Sequence, residues 1–229
     1  MFTIKQYVKA SSLREAWEIN QKRTNRIIGG MGWMKMTHGD IATAIDITEL
    51  GLNKIEEKDD EFIIGAMVTL RQFETNEGFN SYFDNAAKES VRHIVGVQFR
   101  NLATIGGSMW LRPGFSDPLT LFLALDADVE LYTGEEENIR IPLNEFYHMK
   151  KDNSIIVAVH IKKDNRKVVY ESFRNTETDF PVLAVAVAKK DGSFLASIGA
   201  RPSVARLVEA DDVIQLKKEA ASLNYQSNL

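Results

Sequence analysis

Two glycine pairs are the residues of this chain best suited to do chemistry. Gly106-Gly107, in the run Ala103-Thr104-Ile105-Gly106-Gly107-Ser108, lies between an apolar lead-in and a helix start, and Asp117-Pro118 follows nine residues after Ser108. Gly29-Gly30, with Gly32 close behind, follows the apolar Ile27-Ile28. Glycine has no Cβ to hold a ligand away, so backbone N–H groups at such turns can approach an anion closely. The pattern suggests two loops converging on one phosphate-rich group, although either pair taken alone reads first as a plain turn. Neither completes the G-x-G-x-x-G dinucleotide fingerprint, since the first loop reads G-G-x-G. No G-x-x-x-x-G-K-[ST] is present, which excludes a P-loop nucleotidase.

Other candidates carry less. His38, His93, His148 and His160 show no H-x-x-H or H-E-x-x-H spacing, so they read as structural or surface residues rather than metal ligands. Asp59-Asp60 and Glu135-Glu136-Glu137 sit in polar, turn-like stretches and read as solvated loop charge. Trp33 and Trp110 each follow a glycine loop closely, and their rings are suited either to pack on a planar ligand or to fill the core. The chain has no cysteine, so it holds no disulfide, iron–sulfur cluster or thiolate metal site. Redox chemistry here would need an organic cofactor, or metals carried by another chain.

The 229 residues, 44% hydrophobic and 26% charged, suit one large domain or two modest ones of an ordinary soluble protein. A net charge of −4 argues against nucleic acid as a partner. The one dense basic run, Lys162-Lys163 to Arg166-Lys167, is split by Asp164-Asn165 and reads as a solvated hairpin-like turn. No apolar run approaches the roughly 20 residues of a membrane span, and the N-terminus has no signal-like apolar region. A cytoplasmic location is the expectation.

These groups must be positioned by a mixed α+β order of elements. Residues 2–7, 26–28, 41–47 and 61–66 read as strands. Ser12-Leu13-Arg14-Glu15 is a capping box that opens a helix to about Arg23, and Thr69-Leu70-Arg71-Gln72 is a second box. A longer helix is expected over about 79–91, and 98–115 reads as a long functional loop. Asp117-Pro118 fits N-cap and first helical position, with Leu119, Phe122 and Leu123 facing inward. Strands follow over 129–132, 154–161 and 167–173. Residues 181–188 and 193–198 form a hairpin across Asp191-Gly192. A last helix starts at Asp211 and fades into Asn224-Tyr225-Gln226-Ser227-Asn228.

Around the second loop, Gln98-Phe99-Arg100-Asn101-Leu102-Ala103-Thr104-Ile105-Gly106-Gly107-Ser108, Ser116-Asp117-Pro118-Leu119 and Leu123-Ala124-Leu125-Asp126-Ala127 resemble the FAD-binding subunit of molybdenum hydroxylases. This is the family of xanthine dehydrogenase and the medium chain of carbon monoxide dehydrogenase. Its pattern is roughly Q-x-R-N-x-A-T-I-G-G-N, then S-D, then L-x-A-L-D-A. Ile28-Gly29-Gly30-Met31-Gly32-Trp33 resembles the family's A-G-G-T-D-L, and Ile64 to Leu70 its I-G-A-x-V-T-L. Ser12 to Ala16 and Arg174 to Ala188 match as well, so the likeness runs from Tyr7 to about Glu209.

The resemblance implies a two-lobed FAD-binding domain over 1–168, of the kind found in vanillyl-alcohol oxidase, with lobes of about 1–51 and 52–168. A small antiparallel sheet with a helix would follow over 169–229, a region that runs longer in other members. It implies FAD held by Ile28, Gly29, Gly30, Met31, Gly32 and Trp33, and by Thr104, Ile105, Gly106, Gly107 and Ser108. Asp117 is either a contact on the ribityl side or a helix cap alone. Glu171 stands where family members carry a lysine near the flavin; a glutamate there would disfavour the anionic reduced form and lower its potential. No side chain is expected to act as catalytic acid or base. The implied role is electron relay: a large molybdopterin subunit and a small iron–sulfur subunit deliver electrons through FAD to NAD or another acceptor. Met31, Gly32 and Ser108 depart from the family pattern and, with Glu171, leave room for an assembly subunit that has lost FAD. A stand-alone flavin oxidoreductase and a plain binding protein are the remaining alternatives.

Overall fold

Alternating apolar runs and capped helices build three sheets in a computed structural model that describes residues 2–200 and 204–223. The first lobe is a three-stranded parallel sheet in the order β1-β3-β2, from β1 (Phe2–Lys9), β2 (Arg26–Ile28) and β3 (Gly39–Asp46). Helix α1 (Leu13–Asn20) connects β1 to β2. The Ser12 hydroxyl accepts the Glu15 N–H at 3.1 Å, but the Glu15 carboxylate reaches back to the N–H of Ser11 rather than of Ser12. The helix ends before Arg23 because the Asn25 side-chain amide donates to the Ile19 carbonyl at 2.8 Å and turns the chain into β2.

The second lobe is a five-stranded antiparallel sheet, order β4-β5-β8-β6-β7. Its strands are β4 (Ile55–Glu57), β5 (Glu61–Gly65), β6 (Asp128–Tyr132), β7 (Ile139–Pro142) and β8 (Ile155–Lys162). Helices α2 (Leu70–Glu74), α3 (Glu77–Tyr82), α4 (Ala86–Val91), α5 (Val97–Arg100), α6 (Ile105–Leu111), α7 (Asp117–Ala124) and α8 (Leu143–His148) complete it. Two expectations are corrected here. The helix over 79–91 is broken at Asp84 and Asn85, both left-handed at φ 51° and 66°, and this lets Phe79 and Phe83 join one ring cluster with Phe62 and Phe73. The stretch 98–115 is not a continuous loop: it contains most of α5 and all of α6, each too short to print a helical period.

The third sheet is antiparallel, order β12-β11-β10-β9, from β9 (Lys167–Arg174), β10 (Pro181–Lys190), β11 (Ser193–Gly199) and β12 (Arg206–Ala210). The expected hairpin across Asp191-Gly192 is there, both residues at positive φ (50° and 93°) as a primed turn requires. Every residue of α7 is buried, because it packs on the second lobe and also on β10 and β11. Ala184, Ala186 and Ala188 of β10 share one core with Phe62, Phe122 and Val159. Helix α9 (Val213–Ser222) covers part of the sheet's other face, with Leu216 and Ala220 on Ala196, Ile198 and Val208. The polar tail 224–228 lies outside the described residues.

The basic run at 162–167 is not a solvated hairpin turn, since β8 and β9 belong to different sheets. Arg166, only 6% exposed at its side chain, forms a fork with Asp164 at 2.8 and 2.6 Å, and Lys190 adds a third bond. Although burial opposes it, these cations hold the Asp164 carboxyl well below the usual range. An acid depressed in the folded state stabilises above its unfolded value near pH 3.9, and that stability drains away as pH falls toward the folded value. Asp164→Asn should therefore cost roughly 3 kcal/mol at pH 7, read by urea unfolding. It should also flatten the loss of stability below about pH 4. An unchanged midpoint at pH 7 would show the fork to be incidental.

Candidate functional site

The second glycine loop is seated before it can hold anything. The turn after β5 presents its carbonyls and amides to residues 103–106: Leu70 N–H donates to Ala103 at 2.8 Å, Ile105 N–H to Val68 at 2.9 Å, and Gly106 N–H to Ala66 at 2.8 Å. A Cβ on Gly106 would come within 2.8 Å of Ala66, so glycine is required for this fit. Thr104 is the N-cap of α6; its hydroxyl accepts the Gly107 N–H at 3.2 Å and its carbonyl takes the Ser108 N–H at 3.1 Å. The amides of Ile105, Gly106, Gly107 and Ser108 are thus all engaged within the protein.

The lead-in to this loop is anchored by charge. Arg100 forms a bidentate pair with Glu74 of α2, at 2.8 and 3.2 Å, and donates to the Ile94 carbonyl at 3.2 Å. Both side chains are buried, and against the cost of burial Arg100 and Arg71 hold the Glu74 carboxyl below its ordinary range. Arg100 is therefore a scaffold residue.

The first glycine loop lies directly on the second. A Cβ on Gly30 would overlap the Leu102 carbonyl, one on Gly29 would lie 2.9 Å from the Thr104 hydroxyl, and one on Gly32 would meet the Phe99 ring at 2.7 Å. Ile28 and Met31 anchor the loop in a small core with Ile41 and Ala44. Met31 is left-handed at φ 55°, a strained conformation for a side chain of this kind, and it reverses the chain between Gly30 and Gly32. No acceptor among the described residues takes the N–H groups of Gly30, Met31 or Gly32. Successive free amides in a tight turn form an anion-binding concavity. The Thr104 hydroxyl accepts from Gly107 through one lone pair and donates to no acceptor among the described residues, so its proton is free beside Gly29.

A third segment closes on this junction. Trp33, 40% exposed, packs on Phe115 (6.0 Å between centroids) and on Phe180 (5.8 Å), and those two rings are 4.6 Å apart. Trp110 by contrast is partly buried against the main core. Behind Phe115, Ser116 is the N-cap of α7, because its hydroxyl faces the Leu119 N–H; Asp117 is the first helical residue, so the helix starts one residue earlier than the expected cap at Asp117. The Asp117 carboxylate accepts from the Tyr170 hydroxyl and from Arg174 of β9. Burial raises the Asp117 carboxyl above its usual value against the pull of Arg174, and burial beside that carboxylate drives the Tyr170 phenol well above its own.

The two loops named from the sequence are therefore brought together, and Asp117 stands behind the aromatic trio. Glu171 is not brought with them: it is exposed on the face of β9 opposite Tyr170. Phe115, Phe180 and the Glu74–Arg100 pair escape sequence reasoning, since nothing local marks their partners. Among the described residues no cluster of His, Asp or Glu is arranged to hold a metal.

Residues 2–163 match the model of the FAD binding domain in molybdopterin dehydrogenase. The uncharacterized protein YgfM of Escherichia coli K12 is 24% identical over 214 residues, 91% of this chain and 79% of that protein. The fold is similar to a chain of the Cu,Mo-CO dehydrogenase, with TM-score 0.82 and 19% identity over 98% of this chain and 90% of that one. It is also similar to a chain of quinoline 2-oxidoreductase from Pseudomonas putida 86, with TM-score 0.76 and 17% identity over 88% and 76% of the two chains.

The loop contacts give a graded expectation. Gly30→Ala and Gly106→Ala, each forcing a methyl into backbone, should destabilise the protein by about 1–3 kcal/mol. Gly107→Ala, whose Cβ meets only the Thr104 hydroxyl at 3.2 Å, should be close to neutral. Chemical unfolding of the three variants checks this, and equal stability throughout would contradict it.

Proposed function

This chain belongs to the family of FAD binding domains of molybdopterin dehydrogenases, and from that premise we propose that it is the electron-relay subunit of a larger oxidoreductase. In this reading a large molybdopterin subunit oxidises the substrate and a small iron–sulfur subunit carries the electrons. This chain passes them to NAD or another acceptor. A chain with no cysteine suits that division of labour, because it needs no metal centre of its own. No helix among the described residues is long and apolar enough to cross a membrane.

The observation that carries the proposal is the run of free amides at Gly30, Met31 and Gly32, in a loop whose first glycine, Gly29, lies beside the Thr104 hydroxyl. These groups fit a pyrophosphate: they are uncharged donors fixed in place, so little reorganisation accompanies binding. When bound, FAD supplies the redox chemistry, accepting electrons and releasing them to an acceptor. The residues of this chain hold and orient. Gly30 to Gly32 and Thr104 bind the phosphates, and the aromatic trio of Trp33, Phe115 and Phe180 shields the junction from water on one side. Asp117, fixed by Tyr170 and Arg174, holds the start of α7 against the third sheet.

A second reading, an assembly subunit that has lost FAD, is favoured by the engagement of the Ile105 to Ser108 amides and by Met31 and Gly32 in the first loop. One experiment separates them. Incubation of the purified chain with FAD followed by gel filtration should give a yellow protein fraction, and Gly30→Ala should weaken binding at least about tenfold, the equivalent of 1.4 kcal/mol. A colourless fraction at saturating FAD would favour the second reading.

A further inference from the structure

The exposed face of α6, marked by Gly107 and Leu111, leads away from the loop junction to a second concentration of donors. Arg112 ends the helix in the left-handed region at φ 50°. Its Nη1 donates to the Met149 carbonyl at 2.6 Å, while Lys151 Nζ donates to the Leu111 carbonyl at 3.1 Å. The two segments thus exchange cation–carbonyl bonds, and no carboxylate among the described residues lies within ion-pairing distance of either cation. Asp152, the carboxylate that acts on Arg112, turns its Oδ1 to the Ser154 N–H and hydroxyl at 2.9 and 2.6 Å.

Arg112 Nε is buried and meets no acceptor. Its guanidinium stacks on the Phe146 ring at 3.8 Å and lies 5.9 Å from the Trp110 ring. The Nη2 of Arg112 has no acceptor among the described residues either, and this outer amino group, not the buried Nε, is the one an anion can reach. Burial lowers the Arg112 guanidinium, and burial together with Arg112 lowers the Lys151 ammonium, as expected of like charges held side by side. Exposed Leu111 and Met149 flank the pair with apolar surface.

We propose that Arg112 and Lys151 form an anion site for the phosphate of a small phosphorylated molecule, distinct from the Gly30–Gly32 amides. The seven residues of α6 set the backbone of Arg112 about 10 Å along the helix from Thr104. Two cations offer a phosphate charge-assisted hydrogen bonds, and the guanidinium fork matches its geometry. The flanking apolar side chains favour a ligand whose phosphate is attached to an apolar or planar body. This site does not depend on the cofactor reading.

Inorganic pyrophosphate is the probe, titrated calorimetrically into the full chain with and without saturating FAD. The expected result is saturable binding that persists with FAD bound, when the Gly30–Gly32 amides are occupied, and that in this state is weakened at least about tenfold in Lys151→Gln and in Arg112→Gln. Lys151 is exposed, so its variant reports even where Arg112→Gln disturbs the joint between α6 and α8. FAD binding by Lys151→Gln should equal that of the wild type. Absence of saturable binding, or full binding by Lys151→Gln, would overturn the site and leave the cations as caps on helix ends. Loss of pyrophosphate binding on adding FAD would overturn it differently, by assigning both cations to the cofactor seat.

Discussion

The contact of Gly30 with the Leu102 carbonyl is the constraint on which the rest of this structure depends. Any side chain at Gly30 would occupy the position of that carbonyl, so the two loops meet backbone to backbone. Leu102 in turn is held by what precedes and follows it: Arg100 locked into Glu74, and Ala103 to Gly106 bonded to the turn after β5. The first lobe is thereby docked through one glycine onto a carbonyl whose position the second lobe determines.

This arrangement divides the work between the loops. The second loop, richer in recognisable pattern, uses its own amides to build itself and contributes a threonine hydroxyl. The first loop, anchored by Ile28 and strained at Met31, leaves its amides free. Strain of this kind persists only where the surroundings over-determine the backbone, and here the Leu102 carbonyl, the Thr104 side chain and the Phe99 ring do so. The third sheet joins the site through Arg174 and Phe180, which tie β9 and the loop after it to Asp117 and Trp33.

Much of this was legible in the sequence because it depends on local chemistry. The Thr69–Gln72 capping box, the Asp191-Gly192 hairpin and the convergence of two glycine turns each follow from a few adjacent residues. What was hidden depends on distant partners. Glu74 gives no sign that Arg100 will find it, Asp117 none that Tyr170 and Arg174 will claim it from another sheet, and Arg166 reads as solvated until Asp164 is seen to fold onto it. The short helices α5 and α6 were invisible because one or two turns cannot show a period of 3.6.

Residue-resolved amide hydrogen exchange tests the central claim most directly. Without FAD, the amides of Ile105 and Gly106 should exchange slowly, being bonded to Val68 and Ala66, while those of Gly30, Met31 and Gly32 exchange fast. Saturating FAD should then slow Gly30, Met31 and Gly32 and leave Ile105 and Gly106 as they were. Unchanged exchange at Gly30 to Gly32, in a chain shown to hold FAD, would place the phosphates elsewhere and contradict the division of labour between the loops.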